Sequence, residues 1–218
     1  MIYQDLPALY KPSPIYNSNI KYLRMIKTAL AVTLAFIGVA NAYISTGACP
    51  TPSLKANFDA TRYMGLWHEQ MRDAGMPWES NDCQQARYSL NADGTVAVKN
   101  TQYNPKTDQV EVATATATFD GAKGAVKFFE YAPAGDYEVL ETDYDTFAVV
   151  YSCSNYYLAK AEYIWVLTRE QNVVDYQVLF DALNVLRNKV PGYDQSSIYR
   201  TVQGGSCKYY SEAQPQPY

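Results

Sequence analysis

The sequence predicts an all-β domain of about eight short antiparallel strands, a sandwich or a barrel, with one C-terminal helix packed outside. Three observations carry that reading. From Gly65 to Arg169 extended runs are broken by turn signals, roughly every 8–12 residues. Beyond that point the apolar period lengthens to that of a helix. A composition of 48% hydrophobic and 18% charged residues is globular, with enough apolar surface for a substantial core.

The strands follow in order. A first run crosses Trp67. "QARYSLNADGTVAVKNTQY" is two extended runs around Asp93-Gly94, a strong hairpin signal. "NPKTD", residues 104–108, is a second turn. "VEVATATATFDGAKGAVKFFEY" alternates with period two, turns near Asp120-Gly121 and resumes. "PAGD" breaks the chain before "YEVLETD", and "YDTFAVVYSC" and "AEYIWVLTR" complete the set. The 21 tyrosines suit such a protein, because a ring body packs in a half-polar cavity while its hydroxyl finds a partner.

Residues 173–190 then place Val174, Val178, Leu183, Leu186 and Val190 at three-to-five-residue steps, with Leu179 adjoining. That is one amphipathic helix, stopped by Pro191-Gly192. Eight up-and-down strands close into a barrel wide enough for one small ligand. The Ala/Thr alternation from Ala113 to Thr118 fits, since small inward side chains leave volume. An ordinary half-exposed strand with Thr outward reads the same way.

The N-terminal segment stands apart. Residues 25–42, "MIKTALAVTLAFIGVANA", have Lys27, a hydrophobic run and a small-x-small close at Ala40-Asn41-Ala42, the pattern of a signal peptide. The run is shorter than the roughly 20 apolar residues that span a bilayer. Residues 1–24 read as an upstream extension or a mis-assigned start, and residues 43–218 as the domain. Lipidation at Cys49 is the weaker reading, because Thr46 stands where such sites want Leu.

The formal charge of −4 divides into about +3 over residues 1–42 and −7 over the rest. An acidic body without a basic stripe argues against nucleic acid and against anionic membrane surfaces. Four cysteines in a secreted domain read as two disulfides, with three possible pairings. No Cys/His metal spacing occurs and His68 is the only histidine, so no metal or cofactor is expected.

Several of these residues resemble the lipocalin family. Gly65-Leu66-Trp67 is similar to the Gly-x-Trp of its first strand, Thr142-Asp143-Tyr144 to a Thr-Asp-Tyr turn between later strands, and Arg169 to the Arg ending the last strand. The resemblance covers about residues 49–207. It is nearest the branch of apolipoprotein D, bacterial lipocalin, insect bilin-binding proteins and crustacyanin, with one departure: His68, where relatives usually have Tyr. It implies an eight-stranded barrel whose closed end is plugged by Trp67 under Arg169, with Gly65 giving room. It also implies the pairings Cys49–Cys153 and Cys83–Cys207.

What the resemblance implies for function is a secreted carrier of a small hydrophobic ligand: fatty acid, sterol, carotenoid or bilin. Alternation from Arg169 puts Leu167, Trp165, Tyr163 and Ala161 on the inner face. Tyr88, Phe128, Tyr137, Tyr163 and Trp165 are the expected ligand contacts, with Phe128 and Tyr137 near the mouth. His68, turned outward by alternation from Trp67, is expected at the surface. Paired cysteines leave no thiol nucleophile, so no catalytic residue is expected. A filled, ligandless barrel serving protein interaction is the competing reading, and a lipocalin-type enzyme a weaker one. The assembly is expected to be a monomer or weak homo-oligomer without stable membrane insertion.

Overall fold

A computed structural model describes residues 44–173 and 175–211. The segments 1–24 and 25–42 lie outside the described residues. Eight strands form the barrel: β2 (Gly65–Asp73), β3 (Asp82–Leu90), β4 (Val96–Asn104), β5 (Gln109–Asp120), β6 (Lys123–Lys127), β7 (Gly135–Thr142), β8 (Phe147–Tyr156) and β9 (Ala159–Thr168). Each pairs antiparallel with its sequence neighbour, and β9 returns to β2 through His68↔Thr168 and Arg72↔Trp165, closing the sheet. The eight strands of the sequence reading are therefore a barrel and not a sandwich.

Alternating strand direction gathers the connections 74–81, 105–108, 128–134 and 157–158 at one end. The turns 91–95, 121–122 and 143–146 lie at the other, with the short helix α1 (Ala60–Tyr63). Two short strands not read from the sequence complete the wall near the first end. β1 (Ile44–Thr46) lies along β9, and β10 (Ile198–Arg200) runs beside the upper half of β2. Past β10 the chain stays in the wall: Thr201 N donates to Gln70 O at 3.0 Å and Cys83 N to Val202 O at 3.0 Å.

Apolar residues pack on both faces of the sheet. Inward, Trp67, Val96, Val98, Ala117, Val139, Ala148, Val150 and Leu167 share one cluster. Outward, Met71, Leu140, Val149, Ile164 and Val166 meet Leu179, Ala182 and Leu186 of helix α2 (Tyr176–Lys189). Asp175 caps that helix by accepting from Gln177 N at 2.9 Å. Burial of its one apolar stripe holds it to the barrel, and truncating Leu186 to Ala would cost about 2–5 kcal/mol. The disulfides are Cys49–Cys153 and Cys83–Cys207, tying the segment before the barrel to β8 and the segment after it to β3.

Candidate ligand site in the barrel

The closed end explains why a glycine stands two places before Trp67. Trp67 is fully buried, and its indole N–H donates to Tyr63 O at 2.9 Å. The Arg169 guanidinium lies 3.6 Å from the Trp67 ring centroid. It donates from Nε to Tyr144 O at 2.9 Å, from Nη1 to Leu66 O at 2.8 Å and from Nη2 to Met64 O at 2.8 Å. Gly65 has φ +99°, and a Cβ there would sit 3.2 Å from Arg169 Nη1. A side chain would therefore be strained by the backbone and crowded by the guanidinium. Thr142-Asp143-Tyr144 builds the neighbouring turn: Asp143 Oδ1 accepts from Thr146 N at 2.8 Å and Phe147 N at 3.0 Å. The Arg169 guanidinium thus joins three segments at one point.

Above it stands an aromatic layer. Tyr63 stacks on Tyr88 with centroids 5.7 Å apart, and Phe58 on Phe119 at 5.6 Å. The Tyr63 and Tyr137 hydroxyls are 2.9 Å apart, those of Tyr88 and Tyr137 3.0 Å. Burial pushes all three hydroxyls upward in pKa, so they stay protonated. Three protons serve two hydrogen bonds, which leaves one hydroxyl proton of the chain unspent. Trp165 continues the wall at 6.5 Å from the Tyr137 ring.

The inner face opens towards the mouth. Along β5 it passes from buried Ala117 through half-buried Ala115 to exposed Ala113. Asn100, which pairs with both Ala86 and Ala113, has a buried Oδ1 without a hydrogen-bond partner. The Ala/Thr alternation thus sets alanines inward and threonines outward.

At the mouth lies a polar cluster the sequence reading missed. A bulge between Glu69 and Met71 turns both Glu69 and Arg72 inward. Arg72 Nη1 donates to Glu69 Oε1 at 2.9 Å and to Thr201 Oγ1 at 3.0 Å, and its guanidinium lies 4.5 Å from the Tyr199 ring centroid. Thr201 also donates to Glu69. Glu79, in the loop 74–81, accepts the Trp165 indole N–H at 2.8 Å and interacts electrostatically with Glu69. Burial, then the charge of neighbouring Glu79, raises the Glu69 carboxyl above the usual range, and burial raises that of Glu79. Plain alternation from inward Trp67 already points Glu69 inward; the bulge that adds Arg72 has no local signal.

This geometry is that of a known family. A lipocalin-like domain model matches residues 58–203. The chain belongs to the lipocalin family. Apolipoprotein D of Cavia porcellus is 40% identical over 129 residues, 57% of this chain and 68% of that protein. The outer membrane lipoprotein Blc of Escherichia coli is 30% identical over 191 residues, 84% of this chain and 100% of Blc. Among solved structures, lobster apocrustacyanin A1 superposes with a TM-score of 0.64 at 21% identity, covering 76% of this chain and 93% of that one. Insecticyanin of Manduca sexta gives 0.63 at 21% identity, over 78% and 90%. These two likenesses show the fold alone. Members of the lipocalin family bind small hydrophobic ligands.

Within this lipocalin barrel, Tyr88, Tyr137 and Trp165 come together in one aromatic wall. Tyr137 sits deeper than the mouth, because β7 pairs it with Gly124, close to the turn at 121–122. Tyr163 lies higher, edge-on to Trp78 with centroids 5.0 Å apart. Phe128 falls just past the end of β6, in the loop 128–134, and is 42% exposed. His68 faces outward but is not at the surface. It is only 6% exposed, because the C-terminal segment lays Tyr209 edge-on against it at 6.2 Å. Gln85 Nε2 stands 3.3 Å from its Nδ1, and burial lowers its pKa to about 4.

Proposed function

We propose that the chain is a secreted carrier that holds one small hydrophobic ligand in the barrel, against Tyr88, Tyr137 and Trp165. The observation that carries this reading is the graded inner wall, closed at Trp67 and opening from Ala117 to Ala113. A ligand entering past the loop 74–81 would bury its apolar body on aromatic and alanine surface. The unspent hydroxyl proton of the tyrosine chain and the orphan Oδ1 of Asn100 would meet a single polar group. Tyr163 and Phe128 would touch only the outer end of a long ligand.

The relatives support a carrier, and the two disulfides fit an oxidising compartment. Residues 25–42 serve as the signal peptide in this reading, preceded by an extension over 1–24. The barrel performs no chemistry: its inward carboxyls are engaged with Arg72, Thr201 and Trp165, and each cysteine is in a disulfide. The acidic body suits a monomer or weak homo-oligomer that neither binds nucleic acid nor inserts stably into membranes.

Native mass spectrometry of the protein secreted by eukaryotic cells tests the proposal. A one-to-one adduct, released by organic extraction as a mainly apolar molecule, is the expected result. A bare polypeptide mass that stays bare after incubation with a sterol, carotenoid, bilin and fatty acid would favour the filled barrel.

A further inference from the structure

We infer that Glu69 and Glu79 make the barrel discriminate by ligand charge, admitting uncharged apolar molecules and rejecting carboxylates of the same chain. The inference rests on the carrier reading and names the ligand class of that same site.

On the inner faces of the eight strands Arg72 is the one cation among the described residues, and a carboxylate is already paired with it. Its Nη1 serves Glu69 at 2.9 Å and Thr201 at 3.0 Å, while its face lies against Tyr199. Two carboxyls surround it, Glu69 on β2 and Glu79 on the loop above. A third, Glu111 on β5, accepts from Gln102 Nε2 at 2.8 Å and Asn104 Nδ2 at 2.6 Å beside the mouth. A ligand carboxylate lodged here would have to compete with Glu69 for that one guanidinium and would add negative charge among Glu69, Glu79 and Glu111. It would also shed its hydration with no second cation on the inner faces to compensate.

Entering the other way round gives no relief. The deep end offers tyrosine hydroxyls and the Asn100 amide, all neutral, and the plug's Arg169 is turned to the carbonyls of Met64, Leu66 and Tyr144. An alcohol or carbonyl group loses far less on leaving water, and either end supplies it with neutral partners. Selectivity thus arises as much from what the site denies an anion as from what it gives a neutral group.

Isothermal titration calorimetry at pH 7.4 with dodecan-1-ol and dodecanoate, in wild type, Glu79→Gln and Glu69→Gln, tests this. The wild type should bind the alcohol at least tenfold more tightly than the carboxylate. Each variant should narrow that ratio several-fold. Glu69→Gln should narrow it more, because it also frees the Arg72 guanidinium for the ligand. Equal binding of both chains by the wild type would overturn the inference and leave the carrier reading intact. So would a ratio that neither variant changes, provided both melt cooperatively. If neither compound binds, this inference is overturned, while the carrier reading stands or falls on the adduct test with sterol, carotenoid, bilin and fatty acid.

Discussion

Replacing Arg169 by Ala removes the link between the end of α1, β2 and the turn at 143–146. The guanidinium makes three hydrogen bonds of 2.8–2.9 Å to carbonyls of these segments and stacks at 3.6 Å on Trp67. Charge-assisted bonds of this kind contribute about 1.5–3 kcal/mol each. The rim is half-exposed, so water can reach the released carbonyls and the sum must be discounted by at least half. The stack adds about 0.5–2 kcal/mol. A loss of about 3–5 kcal/mol follows, or a fall in Tm of roughly 10 °C at 2–4 °C per kcal/mol. Arg169→Lys keeps the charge over the ring but not the three-way fork, and should lose about half as much. Chemical denaturation of the three proteins measures it. An Arg169→Ala variant that unfolds within about 0.5 kcal/mol of wild type would refute the plug.

The remaining expectations are narrower. Gly65→Ala should cost about 1–3 kcal/mol, the usual penalty of a strained backbone position, read from the same denaturation curves. His68 titrates near 4 in the folded protein against 6.5 when exposed, so its contribution is intact above pH 6.5 and is lost as pH falls towards 4. Stability should drop by up to about 3 kcal/mol over that window. His68→Phe should flatten that part of the pH profile; an unchanged slope would mean the ring is accessible. Replacing Cys83 and Cys207 together by Ser should speed hydrogen exchange at the backbone amides of Thr201 and of position 83, which bond across the inserted C-terminal segment. Its stability cost should not exceed about 5 kcal/mol, the chain-entropy value for a loop of this size.

The strand run, the Asp93-Gly94 hairpin and the outer helix were legible because each is written in contiguous residues. Trp67 and Arg169 lie 102 positions apart in sequence, and only their resemblance to a family motif joined them before the fold did. What stayed hidden was built from distant pieces. His68 is outward by alternation, yet nothing near it in sequence says that Tyr209 will cover it. Glu69 and Thr201 meet across a separation of 132, through a C-terminal segment whose three-residue strand is too short to announce itself. Tyr137 was placed too high because β6 stops at Lys127, sooner than the run through Phe128 and Phe129 suggests.

The central claim is that a ligand lies against Trp165. Of the three tryptophans, Trp67 is sealed in the floor, Trp78 is 53% exposed and Trp165 faces the lumen with its indole N–H on Glu79. Titrating an apolar ligand, such as a sterol, into wild type and Trp165→Phe while recording tryptophan emission tests that claim directly. Saturable quenching or a spectral shift in wild type, mostly abolished in the variant and with affinity weakened about 2–10-fold for one lost aromatic contact, is the predicted result. Emission that no ligand perturbs, or a perturbation that survives intact in Trp165→Phe, would contradict it.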